Sequence, residues 1–258
     1  MGMSFGLQIS ASGVTTALYR QDVYANNLAN MDTPGFKPDL PSTRFVPAGA
    51  RGSDEFNLPP ARLLERLGSG AALHANRVSM TQGSLQDSAN PLDLGISGEG
   101  FFVVRDAQER EGQTLLTRDG RLTRDSSGRL VLASSGLPIL DTGNGEIFLR
   151  DSAPVKVDAD GSIRQRGQVV ARVRLARVAD PALLSKQGHS MFLAPTESVD
   201  DGAAGHVKQG AFEESAADEV STIMQITSAS RDVDANIAMM QQHDRLLDRA
   251  INVFGRLS

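Results

Sequence analysis

Between Phe212 and Phe254 the chain contains neither Gly nor Pro, and apolar residues return alternately every three and four positions. The row runs Ile223, Ile226, Ser230, Val233, Ile237, Met240, Asp244, Leu247, Ile251 and Phe254, with eight of ten positions apolar. That period predicts one helix from about Ala216, on the order of 60 Å long at 1.5 Å per residue. A helix of that kind gains most of its stability by burying its stripe against something else. The same spacing occurs near the other end, at Leu7, Ala11, Val14, Leu18, Gln21, Ala25 and Leu28. It predicts a helix from about Phe5 to Asn30, stopped by Asn-Met-Asp-Thr-Pro-Gly at 30–35, where Pro34 disfavours helix before it and Gly35 suits a turn. Matched heptad seams at the two ends predict pairing as a coiled coil, with everything between them inserted.

The interior changes to period two and to turns. Segments 101–104, 114–118, 121–123, 129–132, 146–149, 154–157 and 169–178 read as strands. Asp119-Gly120, Asp125 to Gly128, Asn144-Gly145 and Asp158 to Gly161 supply the turns between them. Residues 32–80 hold six Pro and little periodicity, with a helical turn expected only at Ala61 to Leu67. The fold class expected is α+β: long N- and C-terminal helices paired as a coiled coil, an inserted antiparallel all-β domain and an extended linker. The segments are 1–31 for the first helix, 32–80 for the linker, 81–212 for the β domain and 213–258 for the last helix.

The sequence offers little material for catalysis. Cys is absent, which removes thiolate nucleophiles, Cys-ligated zinc and iron–sulfur sites. His74, His189, His206 and His243 are scattered, and none has a partner at a metal-ligand spacing. Gly98-Glu-Gly100 lacks a third Gly and runs into strand formers where a phosphate-binding helix would begin. Asp158-Ala-Asp160-Gly161 opens like a calcium loop, but Val169 stands where the bidentate Glu belongs. No G-x-S-x-G elbow occurs. The expectation is no catalytic, metal or cofactor site. A formal charge of −5, distributed as +1, −3 and −3 over residues 1–80, 81–213 and 214–258, argues against a nucleic-acid partner. No window reaches the roughly 18 apolar residues of a membrane span, and the absence of Lys or Arg before Arg20 argues against a cleaved secretory signal.

The first helix needs a separate explanation. Residues 1–31 carry only Arg20 and Asp22 as charges and are rich in Ala, Ser, Thr, Asn and Gln. A helix lying on one core would show a charged outer face; a small, uncharged outer face suits contact with neighbours on several sides. Repeated heterologous contacts that do not close generate a filament or tube.

Several blocks carry a resemblance. Ala25-Asn26-Asn27-Leu28-Ala29-Asn30 followed by Thr33-Pro34-Gly35-Phe36-Lys37 resembles the N-terminal signature of bacterial flagellar rod and hook proteins. The resemblance continues in Gln82 to Leu85, Asn90 to Ile96, Gly98 to Phe102, Thr117 to Gly120, Gln209 to Glu213 and Arg231 to Asn236. These blocks follow the family's order over essentially the whole chain. Ser88, Leu122, Ala216-Ala217 and Val233-Asp234 depart from the usual pattern, and the length suits a rod protein better than the larger hook protein.

The resemblance implies a structural subunit of the flagellar basal-body rod, proximal or distal, that self-assembles into the shaft carrying torque from motor to hook. It implies export through the flagellar type III apparatus without a cleaved signal, a place in the basal body across the periplasm, contacts with neighbouring rod and hook proteins, and contact with bushing ring proteins. The assembly helices would use Leu7, Val14, Leu18 and Leu28 against Ile223, Ile237, Met240, Leu247 and Ile251. The family-motif residues are Asn26, Asn27, Asn30, Gly35, Phe36, Gly98, Gly100, Phe101, Arg231 and Asn236. A second reading is a soluble basal-body adaptor whose β domain docks a ring protein or a cell-wall-remodelling partner. A hydrolase using Asp119, Asp158 or Asp160 lacks a convergent acid and base pair.

Overall fold

A computed structural model of the chain describes residues 2–45, 71–105, 113–150, 153–201 and 205–254. The helical turn expected at Ala61 to Leu67 lies outside them. The chain divides into two compact units: residues 1–28, 39–77 and 219–258 form one, and residues 29–38 and 78–218 form the other.

The first unit holds α1 (Gly2–Ala29) and α2 (Glu219–Phe254), with a two-stranded sheet of β1 (Asp39–Phe45) and β2 (Ala71–Val78). The coiled coil expected from the two apolar seams is not what forms. The helices pair, but their points of meeting are small and polar. A Cβ added to Gly6 would stand 2.5 Å from the His243 ring, one added to Gly13 would collide with the Asn236 carboxamide, and Arg20 meets Asp232 at 2.6 Å. Among the described side chains of α1, those buried are Ser10, Thr16, Ala17, Val23 and Asn27. Along α1 the row Gly6, Ser10, Gly13, Ala17 and Arg20 lies one residue off the expected row Leu7, Ala11, Val14, Leu18 and Gln21. A one-residue step turns a helix by about 100°, so the large side chains look away from the place where glycine permits close approach. Leu18 is accordingly 46% exposed, Ile223 46% and Ile237 40%. Hydroxyls inside α1 are satisfied by its own carbonyls: Thr16 donates to Ser12 O at 2.8 Å and Ser12 to Ile9 O at 2.7 Å.

The second unit is β-rich. Its largest sheet is antiparallel, in the order β13 (Ser185–Lys186), β14 (Met191–Pro195), β6 (Gln113–Thr117), β5 (Phe101–Val104), β12 (Leu175–Val178) and β15 (Val199–Asp201). All four residues of β5 are buried, and the sheet has a core on each face. Phe102 and Val104 join Leu115 and Leu193 in one cluster; Phe101 and Val103 join Leu116, Ala176 and Phe192 in the other. That two-sided burial explains why Phe101 to Val104 reads as a continuous apolar run and not as an alternation.

Smaller sheets surround it. They are β7 (Leu122–Arg124) with β8 (Leu130–Leu132); β9 (Val155–Val157), β10 (Ser162–Gln165) and β11 (Gln168–Arg172); and the pairs of β4 (Leu94–Ser97) with β16 (His206–Gln209) and β3 (Leu85–Asp87) with β17 (Ala211–Glu213). Residues 169–178, expected as one strand, are two. β11 pairs with β10 while β12 pairs with β5, and between them Val173 N bonds Gly161 O and Arg174 N bonds Leu140 O. The last strands of the unit therefore pair with its first ones, closing the body through long-range contacts.

Candidate functional site: a buried ionic clasp and two helix faces

Thr33 to Lys37 follows α1 and inserts into the β body. Thr33 N bonds Asn30 O at 3.1 Å, its hydroxyl reaches the Asn30 carboxamide at 3.3 Å, and Phe36 N bonds Thr33 O at 3.2 Å. Gly35 sits at φ 67, and any Cβ there would overlap the backbone of Arg118 and Asp119. Both conditions require glycine. Gly35 N then bonds Glu213 O at 2.8 Å, which ties the turn to β17. Phe36 is buried beneath Lys186, whose Nζ lies 4.4 Å from the ring centroid and donates to Lys37 O at 2.6 Å.

Lys37 is the centre of the arrangement. Its side chain is 1% exposed and that of Glu213 is 0%, and Nζ meets Oε1 at 2.6 Å. Nζ also donates to Thr81 O at 2.7 Å, and Gly83 N donates to the same Glu213 Oε1 at 2.8 Å. The second carboxylate oxygen takes Arg118 NH1 at 2.9 Å, while Arg118 NH2 donates to Gly98 O at 2.9 Å. The Arg118 guanidinium carbon stands 5.2 Å from the Phe101 centroid, and Phe101 meets Phe192 edge-on at 5.6 Å. Burial pushes the Lys37 ammonium below its usual range; the adjacent Glu213 carboxylate opposes that shift and Arg118 adds to it. Two cations and one backbone N–H on one buried carboxylate make a cluster that contributes little net stability but is expensive to break.

The helix end carries a second device. Asn27, 4% exposed, donates from Nδ2 to Asp39 O at 2.8 Å and accepts from Asp39 N at 2.9 Å on Oδ1. Its carboxamide thus satisfies both backbone groups of the first residue of β1, as a neighbouring strand residue would. Asn26, one residue back, is exposed. A third polar knot lies at Ser88 to Asp93. Asp93 accepts from the Ser88 hydroxyl at 2.6 Å, the Asn90 amide at 2.8 Å and Leu122 N at 3.2 Å.

The remaining expected residues fall into two groups. Gly98 (φ 101) and Gly100 (φ 139) flank Glu99 at the entrance to β5, directly beside the clasp. Leu7, Val14, Leu28, Met240 and Leu247 are half-buried in the helical unit, whereas Leu18, Ile223, Ile237 and Arg231 are exposed. Asn236 bonds Asp232 O at 2.7 Å and faces Gly13. Ile251 lies within α2, but its side chain falls outside the described residues. The clasp was missed as a unit, although Lys37, Arg118 and Glu213 each lie inside a resembling block. Three charges embedded in otherwise apolar or Gly-rich blocks are the signal that could have found it. Among the described residues no group of three His, Asp or Glu could hold a metal ion, and no helix is long and apolar enough to cross a membrane.

Comparison with known proteins gives two family matches. The model of the flagella basal body rod protein family matches residues 7–37, from α1 through Lys37, and that of the flagellar hook protein FlgE/F/G D1 domain matches residues 95–171 in the β body. The flagellar basal-body rod protein FlgF of Caulobacter vibrioides is 28% identical over 99% of this chain and 100% of its own length. FlgF of Mesorhizobium japonicum has the same identity and coverage, and the rod protein FlgG of Agrobacterium fabrum is 28% identical over 93% of this chain and 95% of its own. These relatives are named as rod proteins of the flagellar basal body. The chain is similar along nearly its whole length to flagellar basal-body rod proteins.

Proposed function

We infer that this chain is a structural subunit of the bacterial flagellar basal-body rod and acts in motility by assembling with itself and with neighbouring rod and hook proteins. The observation that carries the reading is full-length similarity to named rod proteins, with the rod model ending on the buried Lys37. The physical design supports it. A shaft under torque needs its parts held in fixed register, and a buried clasp that is expensive to break holds the turn to the β body within each subunit.

The finer features extend this reading. The helices are the axial elements, with Leu18, Ile223 and Ile237 as their outward contacts; exposed apolar side chains of this kind mark interaction surfaces. The subunit leaves through the flagellar export apparatus, stands across the periplasm and passes the bushing ring proteins. Leu18→Asp tests the assembly role, because Leu18 is nearly half exposed and a carboxylate there leaves the monomer folded. The expected outcome is normal cellular amounts of subunit, no subunit in purified basal bodies and no swimming. Normal motility of that strain would overturn the role of this face.

A further inference from the structure

We propose that a recess in the β body receives the first turn of α2 from a second copy of this chain. The proposal rests on the rod-subunit reading above and names the contact that reading leaves open. The recess holds about 260 Å³ beside β5 and β12, with Met80, Phe101, Val178 and Leu184 as its apolar wall. A dry cavity of about 150 Å³ already admits a benzene ring, so this space takes a Met or Ile side chain. Its border carries two cations, Arg118 and Arg177, and one carboxylate, Glu99. Arg118 lines it and keeps a buried Nε with no hydrogen-bond partner among the described residues. Arg177 stands at the rim, 54% exposed, in a 3.2 Å pair with Glu99 that is itself 69% exposed. Exposed pairs of that kind hold weakly, so Arg177 exchanges one carboxylate for another at small cost.

The first turn of α2 has the complementary chemistry. Glu219 lies in that turn and is exposed, and Val220 (64% exposed), Ile223 (46%) and Met224 (66%) follow on adjoining helical positions. An acid directly ahead of three exposed apolar side chains matches an apolar recess with two arginines on its border. Projection and recess are different surfaces of one chain, which makes the contact heterologous. Contacts of that type propagate copy to copy instead of closing into a dimer.

Engineered disulfides test the contact directly, because the natural sequence has no Cys to confuse the pattern. Ala179, on the lip of the recess, and Met224 are both exposed. Cells producing full-length Ala179→Cys and Met224→Cys together, mildly oxidised, should give a cross-linked dimer in isolated rods that neither variant gives alone. Pro181→Cys with Val220→Cys is the second pair, used if a variant of the first pair stays out of rods. Rods containing both variants of a pair but no mixed disulfide would overturn the contact and leave the rod assignment standing. Absence of the tagged wild-type chain from isolated basal bodies would instead overturn the rod assignment on which the contact depends.

Discussion

The β body buries Lys37 and Arg118 against the Glu213 carboxylate, whereas the helical unit leaves Leu18, Ile223, Met224 and Ile237 in water. The first region is held within one chain by two apolar clusters, long-range strand pairs and a clasp in which one carboxylate takes two cations. The second region places Gly6 and Gly13 where its helices meet and leaves several larger apolar side chains exposed. Substitution in the first should therefore show as instability of the isolated chain. Substitution on the outer faces of the second should show only when copies assemble.

The strongest way to break this contrast is Glu213→Ala. It strands the Lys37 and Arg118 cations in the interior, and loss of one partner of a buried ion cluster costs about 3–5 kcal/mol. Urea unfolding followed by circular dichroism should show that drop, and a loss under about 1 kcal/mol would mean the cluster is not dry. Gly35→Ala comes next at about 3 kcal/mol, combining strain at positive φ with overlap of the Arg118 backbone. Thermal melting checks it, and a loss equal to that of a surface Gly would refute the close approach. Asn27→Ala, which orphans both backbone groups of Asp39, should cost about 2 kcal/mol and speed hydrogen exchange at the Asp39 amide.

A smaller effect follows from pH. The folded state holds Lys37 below its usual value, so between that lowered value and the unfolded one the unfolded chain binds more protons. Wild-type stability should then rise with pH through that window relative to Lys37→Met, in which Glu213 keeps Arg118. Paired urea titrations at neutral pH and near pH 10 read the sign, and a relative fall would contradict it. The smallest effect on the monomer belongs to Leu18→Asp, expected within about 0.5 kcal/mol of wild type by the same urea measurement. A large destabilisation would show that α1 completes a core inside its own chain, and the contrast between the two regions would fail.

Much of this was legible in sequence, and the exceptions have physical reasons. Helix positions came from period and punctuation: α1 begins within three residues of its expected start and ends one residue from its expected stop, and α2 begins three residues after its expected start. The hairpin turns at Asp125 to Gly128 and Asp158 to Gly161 form where Asp and Gly stand, with Gly128 at φ 85 and Gly161 at φ 82. The helix interface was misread because apolar spacing was taken to mark the contact. Closest approach is instead set by the residues with least side chain, Gly6 and Gly13, which a search for hydrophobicity passes over. The break at Val173 was hidden because alternation continues across it while the pairing partner changes. The clasp escaped because its members, Lys37, Arg118 and Glu213, lie far apart in the chain, and only resemblance had grouped their blocks.

That separation orders events in time. Lys37 and Glu213 stand 176 residues apart, so the carboxylate that neutralises Lys37 and Arg118 exists only after nearly the whole β body has been synthesised. Until then the turn at Thr33 to Lys37 lacks both the Glu213 carbonyl that accepts from Gly35 and the carboxylate that pairs Lys37. The clasp is thus the last fastening of the β body, and a shorter precursor that ends before Glu213 carries two cations that its interior cannot accept.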